Sequence, residues 1–268
     1  MQRMVRGSML ACLTISRPSL DLSAWVHHAT MCGRYVLDPA TGKSVPQYPA
    51  EPMRRLRYAV DHDLAGYDIR PTNRCAVVLP GNELAIARWG WSRDFATGGR
   101  IINARWETAT EKRTFAQAVE QRRCVIPASG YYEWRRDDRD RPLEKYAFLP
   151  AAEGALLAMA GLYEDVPTAE GSERRFLVLT RSMVKHAAIH DRTPVMLSEA
   201  GEEAWLDLGA PLGDVLDAAR SMDDDDLAPY RVADGPNKAM PAGAWLLEPM
   251  DDGRPKPLTW QIGEDPGV

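Results

Sequence analysis

Short apolar and aromatic runs recur along this chain from residue 33 onward, and they constrain the fold more than any other feature. Eight runs have the β-branched and aromatic composition of strands, at positions 33–37, 75–79, 84–91, 124–134, 146–149, 156–163, 176–180 and 194–197. Their spacing predicts antiparallel sheets that close into a barrel-like body.

Helical signals are fewer than strand signals. The clearest begins at Thr108, where Glu111 completes a capping box, and Phe115 and Val119 then share one face up to Arg122. Two more helices are predicted over residues 199–208 and 212–222. Many strands with few, segregated helices define an α+β fold, here a barrel-like β body with a few peripheral helices.

Length and cysteine usage indicate an ordinary cytoplasmic domain. A chain of 268 residues can bury a sizeable core, and no apolar run approaches the roughly 18 residues that cross a bilayer. We therefore expect no membrane partner. The four cysteines, Cys12, Cys32, Cys75 and Cys124, lie far apart, which argues against disulfides and a zinc site. Cys75 and Cys124 are expected to be small buried residues.

Residues 1–30 are interpreted separately from the rest. They faintly resemble a secretory leader, but the apolar stretch stops at Arg17-Pro18 and no cleavage pattern follows. Met31 is one of several alternative starts. We therefore predict a mis-assigned start or removable leader over 1–30, one domain over 31–240 and a C-terminal tail over 241–268.

The net charge of −5 argues weakly against nucleic acid as a partner, but its distribution weakens that objection. Residues 31–200 hold 25 Lys and Arg against 22 Asp and Glu, whereas residues 201–268 hold 5 against 15. The body can therefore carry a basic face. The acidic run 223–226 is interpreted as a solvated loop.

A cysteine follows Met31, and its chemistry depends on where the protein begins. If Met31 is the true start and is removed, Cys32 has a free α-amine beside its thiol. Such a 1,2-aminothiol condenses with an aldehyde to an imine, and the thiol then closes a thiazolidine ring. An internal cysteine cannot do this, and Met31-Cys32-Gly33-Arg34 is otherwise an ordinary strand start.

Two further stretches place polar groups where strands are predicted. If residues 101–108 are extended, Asn103 and Arg105 share one face, where they suit a sugar hydroxyl and a phosphate; alternatively this is only a polar strand face. Glu133 follows an apolar run, so desolvation is expected to raise its pKa and fit it for proton transfer, unless it simply pairs with an arginine. Trp134 beside it can stack on a base.

A single histidine stands out among the five. His27 and His28 lie in the doubtful leader, and His62 and His186 lie among polar residues typical of a surface. His190 remains, in the stretch His190-Asp-Arg-Thr-Pro194. Lone histidines are more often structural than catalytic, so this stretch alone does not decide its role.

Together, the order and spacing of these stretches resemble the SRAP family, also called SOS response-associated peptidases or abasic-site processing proteins. The resemblance covers residues 31–240 and rests on four blocks, beginning at Met31, Asn103, Gly130 and His190. The chain departs from the usual family pattern at Thr193, where the family has Met, and at Arg181, in a segment that usually reads Thr-Ala-Asn.

The resemblance implies a role for each candidate residue. Cys32 would be the nucleophile, Asn103 and His190 would be positioned on the sugar, and Glu133 would carry protons at the forming ring. The implied DNA contacts are Arg34, Arg105, Arg113 and Trp134. The partner would be single-stranded DNA with abasic sites, bound by a monomer. The lesion supplies the electrophile, so no cofactor or metal is expected.

Two alternatives stay open at the level of sequence. One is a cysteine peptidase in which Cys32 attacks a peptide carbonyl and removes its own leader. The other is a single-strand binding module without enzymatic activity, in which Trp89, Trp91 and Trp134 stack on bases. A covalent adduct with abasic DNA would distinguish abasic-site capture from both alternatives.

Overall fold

The computed structural model describes residues 33–40, 50–152, 154–219, 224–235 and 241–250. Cys12, Cys32, the 1–30 extension and the end of the tail from residue 251 lie outside these ranges. Strands dominate, and in chain order they are β1 Arg34–Leu37, β2 Gly66–Ile69, β3 Arg74–Leu79, β4 Glu83–Trp89, β5 Trp91–Ser92, β6 Arg100–Ile101, β7 Asn103–Arg105, β8 Arg123–Ala128, β9 Gly130–Arg136, β10 Pro142–Pro150, β11 Leu157–Thr168, β12 Gly171–Ser182, β13 Arg192–Pro194, β14 Met196–Leu197 and β15 Leu227–Val232.

Five helices accompany the strands in the described part of the chain. They are α1 Ala50–Asp61, α2 Trp106–Ala109, α3 Ala116–Gln121, α4 Glu199–Leu206 and α5 Leu212–Ala218. None of the described helices is long and apolar enough to cross a membrane.

The strands form a closed barrel and an open sheet. In the barrel each strand pairs with the next in the order β12-β4-β3-β8-β11, and β11 pairs again with β12 to close the ring. The open sheet has the order β15-β10-β9-β1-β2 and is antiparallel throughout. The predicted α+β fold with a barrel-like β body is confirmed. Two pairings, β12 with β4 and β12 with β7, are parallel.

The largest core lies between the barrel and the open sheet. Alternation along each strand turns one set of side chains toward this core. In the sheet, the rings of Tyr131 and Phe148 stack with their centroids 4.8 Å apart. In the barrel, the ring centroids of Trp89 and Phe176 are 6.0 Å apart. Burying each such side chain stabilises the fold by about 1.5–3 kcal/mol. A second core packs the helices on the outside of the barrel.

The chain passes from barrel to sheet at Ser129, which splits the long run predicted over 124–134 into β8 and β9. The Ser129 backbone N–H donates to the carbonyl of Val36, and its hydroxyl accepts the N–H of Asp38 at 2.9 Å. Gly130 follows because a Cβ there would lie 2.6 Å from the carbonyl oxygen of Phe148. A close backbone approach therefore requires this glycine.

The helix predicted from Thr108 to Arg122 is wrong in its extent and its cap. The structure has two short helices, α2 and α3, and Arg105, not Thr108, precedes the first of them. The chain turns between them so that Phe115 can pack against Trp91, with ring centroids 6.0 Å apart. Helix α1 was not predicted, although Leu56 and Ala59 give it a buried face.

Some of the remaining predictions about buried and exposed residues are confirmed and others are wrong. Cys75 and Cys124 are free and buried, as expected. Trp89 and Trp91 are each 1% exposed, so they cannot stack on bases as the binding-module alternative requires. His186, predicted at the surface, is half-buried against Phe148. Outside the predicted domain, the side chain of Leu246 packs under the open sheet.

Candidate active site

A carboxylate and an imidazole meet where the barrel contacts the open sheet. Glu133 lies on β9 and His190 at the end of the loop between β12 and β13, and both are almost fully buried. Glu133 Oε2 is 3.7 Å from His190 Nε2. The structure thus brings together two residues that lie far apart in sequence, one from the open sheet and one from a loop of the barrel.

The backbone of Arg192 orients the His190 ring. The Arg192 N–H lies 3.1 Å from His190 Nδ1, and the Arg192 carbonyl oxygen lies 3.2 Å from the same nitrogen. The other ring nitrogen, Nε2, faces Glu133. The Arg192 backbone thus holds one edge of the ring and leaves the opposite nitrogen directed at the carboxylate.

The side chain of Arg192 is held by an ion pair. Its guanidinium donates two hydrogen bonds to the Glu107 carboxylate, at 2.7 and 2.8 Å, and a third to the Thr180 carbonyl at 2.6 Å. Burial alone would raise the pKa of Glu107, but the hydrogen bonds from Arg192 and Ser182 lower it to about 2. The ion pair fixes α2 against the strand pair that carries His190.

Strand pairing places Asn103 and Arg105 in the same region. Strand β7 runs parallel to β12, with Asn103 opposite Val178 and Arg105 opposite Thr180, and Thr180 also pairs with Pro194 of β13. Asn103 is half-buried and Arg105 is exposed. Their predicted shared face is compatible with this strand, although the strand ends at Arg105 and Trp106 begins a helix.

Arg34 and Trp134 lie together on the opposite face of the open sheet from Glu133. Arg34 pairs with Tyr132, and its guanidinium carbon lies 5.2 Å from the centre of the Trp134 ring. Asp68 is 3.5 Å from the same guanidinium. This cation–π contact is typical of an arginine near an aromatic platform.

Lys145 lies beneath that platform and was not identified from the sequence. Its side chain is 1% exposed, and its Nζ is 3.8 Å from the centre of the Tyr132 ring and 5.8 Å from that of Trp134. Burial lowers the pKa of the Lys145 ammonium to about 8. The sequence pattern alone did not indicate that this lysine would be buried.

Two candidates are not brought into the site by the described residues. Arg113 is exposed in the turn between α2 and α3, where it has no hydrogen bond or ion pair with another candidate residue in the described ranges. Cys32 lies outside the described residues, which begin at Gly33. Within those residues no group of three or more His, Cys, Asp or Glu side chains is arranged to hold a metal ion.

Comparison with known proteins shows the family. The sequence model of the family described as SOS response associated peptidase (SRAP) matches residues 31–239. The abasic site processing protein YoaM of Bacillus subtilis (strain 168) is 32% identical over 228 residues, which cover 81% of this chain and 98% of that relative. The chain belongs to the SRAP family.

One further relative and one solved structure are also similar to this chain. The abasic site processing protein HMCES of Xenopus tropicalis is 35% identical over 162 residues, which cover 50% of this chain and 48% of that protein. An X-ray structure of a protein from Bacteroides thetaiotaomicron matches with a TM-score of 0.61 over 76% of this chain and 93% of its own. At 20% identity that structure supports the fold alone.

Proposed function

We propose that this protein captures abasic sites in single-stranded DNA as a covalent adduct on Cys32. Membership of a family whose relatives are named abasic site processing proteins supports the substrate class. The observation that carries the chemistry is the buried pair of Glu133 and His190, two groups able to exchange protons in a site largely closed to water. We further propose that the protein acts as a monomer in the cytoplasm.

The proposed reaction has two steps. The α-amine of Cys32 adds to the aldehyde of the ring-opened abasic sugar, and loss of water gives an imine. The thiol then adds to the imine carbon, its proton passes to the nitrogen, and the thiazolidine ring closes. The net reaction joins aldehyde and aminothiol with release of one water, so neither an oxidant nor a cofactor is required.

Each step needs a proton to move, and the site offers groups for both. The α-amine has an ordinary pKa of about 7.7–8.0, so a useful fraction is neutral near pH 7. Glu133 would protonate the carbinolamine hydroxyl so that it leaves as water, and its carboxylate would then accept the thiol proton and return it to the ring nitrogen, while His190 and Asn103 would hold the opened sugar. Gly33 leads directly into β1, which pairs with β9, the strand of Glu133. This pairing supports a site that Cys32 and Glu133 share.

The proposal is tested with the chain beginning at Cys32 and a single-stranded oligonucleotide containing one abasic site. We expect a species that survives denaturing electrophoresis. A tetrahydrofuran analogue, which has no aldehyde, should give none, and neither should Cys32→Ala or a chain that retains Met31. An equally stable adduct from the chain that retains Met31 would overturn the thiazolidine.

The same preparation tests the peptidase alternative. Peptide turnover that depends on Cys32, without any adduct on abasic DNA, would favour that alternative. Salt-sensitive binding of single-stranded DNA without adduct formation or peptide turnover would favour a non-enzymatic binding module.

A further inference from the structure

The distance between Glu133 and His190 depends on how two sheets are held together. Glu133 belongs to the open sheet, whereas His190 ends a loop that leaves the barrel after β12 and returns in β13. No strand pairing joins β9 directly to that loop. A buried hydrogen bond between the Tyr131 hydroxyl of β9 and Thr193 Oγ1 of β13, 3.0 Å apart, joins the two sheets, and a contact from the open sheet to the loop itself would restrain the pair further.

Asp224 makes such a contact. It begins the short 3-10 turn Asp224–Asp226 that leads into β15, an edge strand of the open sheet, and it is 1% exposed. Its Oδ2 accepts the backbone N–H groups of Val184, at 2.7 Å, and Lys185, at 3.2 Å, while Oδ1 accepts from Arg181 Nη2 at 2.8 Å. The prediction that the acidic run is simply a solvated loop is therefore wrong for Asp224.

Hydrogen bonds within the loop connect the residues held by Asp224 to His190. The Met183 N–H donates to the Asp191 carbonyl at 2.9 Å and closes the loop at its base. The His190 N–H donates to the His186 carbonyl at 3.3 Å, and the His186 ring contacts Phe148 of the open sheet. Because these bonds join both ends of a short loop, a shift at Val184 also displaces His190.

We propose that Asp224 is a positioning residue that holds His190 against Glu133. The inference rests on the proposed function of this pair, although Asp224 itself touches neither residue in the described contacts. It acts as a fixed acceptor for the first turn of the loop, and Arg181 keeps its carboxylate in place.

The charge state of Asp224 supports this role. Burial would raise the pKa of its carboxyl group, but the N–H groups of Val184 and Lys185 and the charge of Arg181 lower it below its usual value. Asp224 is therefore ionised near neutral pH, and its hydrogen bonds are charge-assisted, the stronger kind.

Asp225 provides a matched control next to it. Its side chain is 64% exposed and pairs only at the surface with Lys185. Asp224→Asn keeps the shape and one acceptor oxygen, Asp224→Ala removes both acceptors, and Asp225→Asn changes the same charge without touching the loop backbone. Melting temperatures identify which variants are folded.

The test compares three measurements on the full chain beginning at Cys32: single-turnover adduct formation, affinity for intact single-stranded DNA, and the imidazole NMR signals of His190, assigned with His190→Gln. We expect Asp224→Asn to slow adduct formation by about tenfold to a hundredfold, because small misplacements of reacting groups cost that much. Affinity should be unchanged, and the His190 signals should shift. Asp225→Asn should resemble wild type in all three.

Unchanged His190 signals, or an unchanged rate, in a folded Asp224→Asn variant would overturn the proposal. If wild-type protein forms no adduct, the proposed function fails, but the NMR comparison still decides whether Asp224 positions His190. Where Asp224→Asn does not fold, Arg181→Gln, which loosens the same carboxylate, replaces it with the same expected shift.

Discussion

The Glu133 carboxylate and the His190 imidazole face each other at 3.7 Å, although one belongs to the open sheet and the other to a loop of the barrel. Both are almost fully buried. A pair of ionisable groups in such surroundings is typical of sites where protons are transferred.

Glu133→Gln should slow adduct formation by about 10²–10⁴, the usual contribution of general acid–base catalysis, without abolishing it. The intrinsic reactivity of the aminothiol remains in the variant. Time courses on a denaturing gel give the rate. Glu144→Gln, on the neighbouring strand β10 and paired with Arg135, is the control and should react like wild type. Equal rates for Glu133→Gln and wild type would assign Glu133 a purely structural role.

Glu107→Gln should weaken the hold on Arg192 and so lower stability in a pH-dependent way. The folded-state pKa of Glu107 is about 2, below its unfolded value, so its stabilising contribution is present above the unfolded pKa and is lost as pH falls toward 2. The gap in melting temperature between wild type and Glu107→Gln should therefore narrow between pH 6 and pH 3. Exposed Glu111→Gln is the control, and a gap that is constant with pH would contradict the prediction.

Arg105→Ala and Arg113→Ala should each weaken binding to single-stranded DNA and flatten its salt dependence, by up to about 0.7 in the log–log slope for each lost phosphate contact. Both side chains are exposed. Fluorescence anisotropy over a range of salt concentrations measures the slope. Arg57→Ala, exposed on α1, removes the same charge elsewhere and should leave the slope unchanged. If all three variants lose affinity and salt dependence alike, the net charge of the protein, and not contacts from Arg105 and Arg113, determines binding to DNA.

Lys145→Met should stabilise the protein most near neutral pH. The folded-state pKa of Lys145 is about 8, below its unfolded value near 10.4, so the unfolded chain binds the proton more tightly between these values and wild-type stability rises with pH there. The advantage of the variant should shrink by about 2 kcal/mol from pH 7 to pH 10. Urea unfolding at both pH values measures it, and a constant difference would show that the ammonium is well solvated.

The sequence predicted the strands better than the helices, for a physical reason. Alternating apolar residues mark strands that face a core, and all eight predicted runs fall on strands or strand pairs. Five agree within two residues at each end, whereas the runs at 146–149, 156–163 and 176–180 fall on strands that extend four or five residues further at one end. The capping box at Thr108 is also a local pattern, but packing of Phe115 overrode it. Helix α1 was missed because Pro52 obscures its start, although proline is tolerated in a first turn.

The supporting residues of the site could not be predicted in the same way. Glu107 and Arg192 are 85 residues apart, and Asp224 lies 40 residues from Val184. A charge pair at that separation leaves no periodic signal in the sequence. Glu133 and His190 were found because each lies inside a recognisable block, whereas their contact follows only from the way the two sheets meet.

The parallel pairing of β4 with β12 sets Arg88 opposite Arg175 and is the most distant along the chain of the five pairings in the barrel. A hairpin can form as soon as its two strands exist, but this pairing must first bring together segments with most of the barrel between them, and loop-closure entropy opposes it. Topologies rich in such distant contacts fold slowly. Because β12 also leads into the His190 loop, partly folded chains would contain every reactive side chain and still lack the assembled site. The contribution of Glu133 and His190 to capture would thus depend on closure of the barrel, whereas the intrinsic reactivity of the Cys32 aminothiol would not.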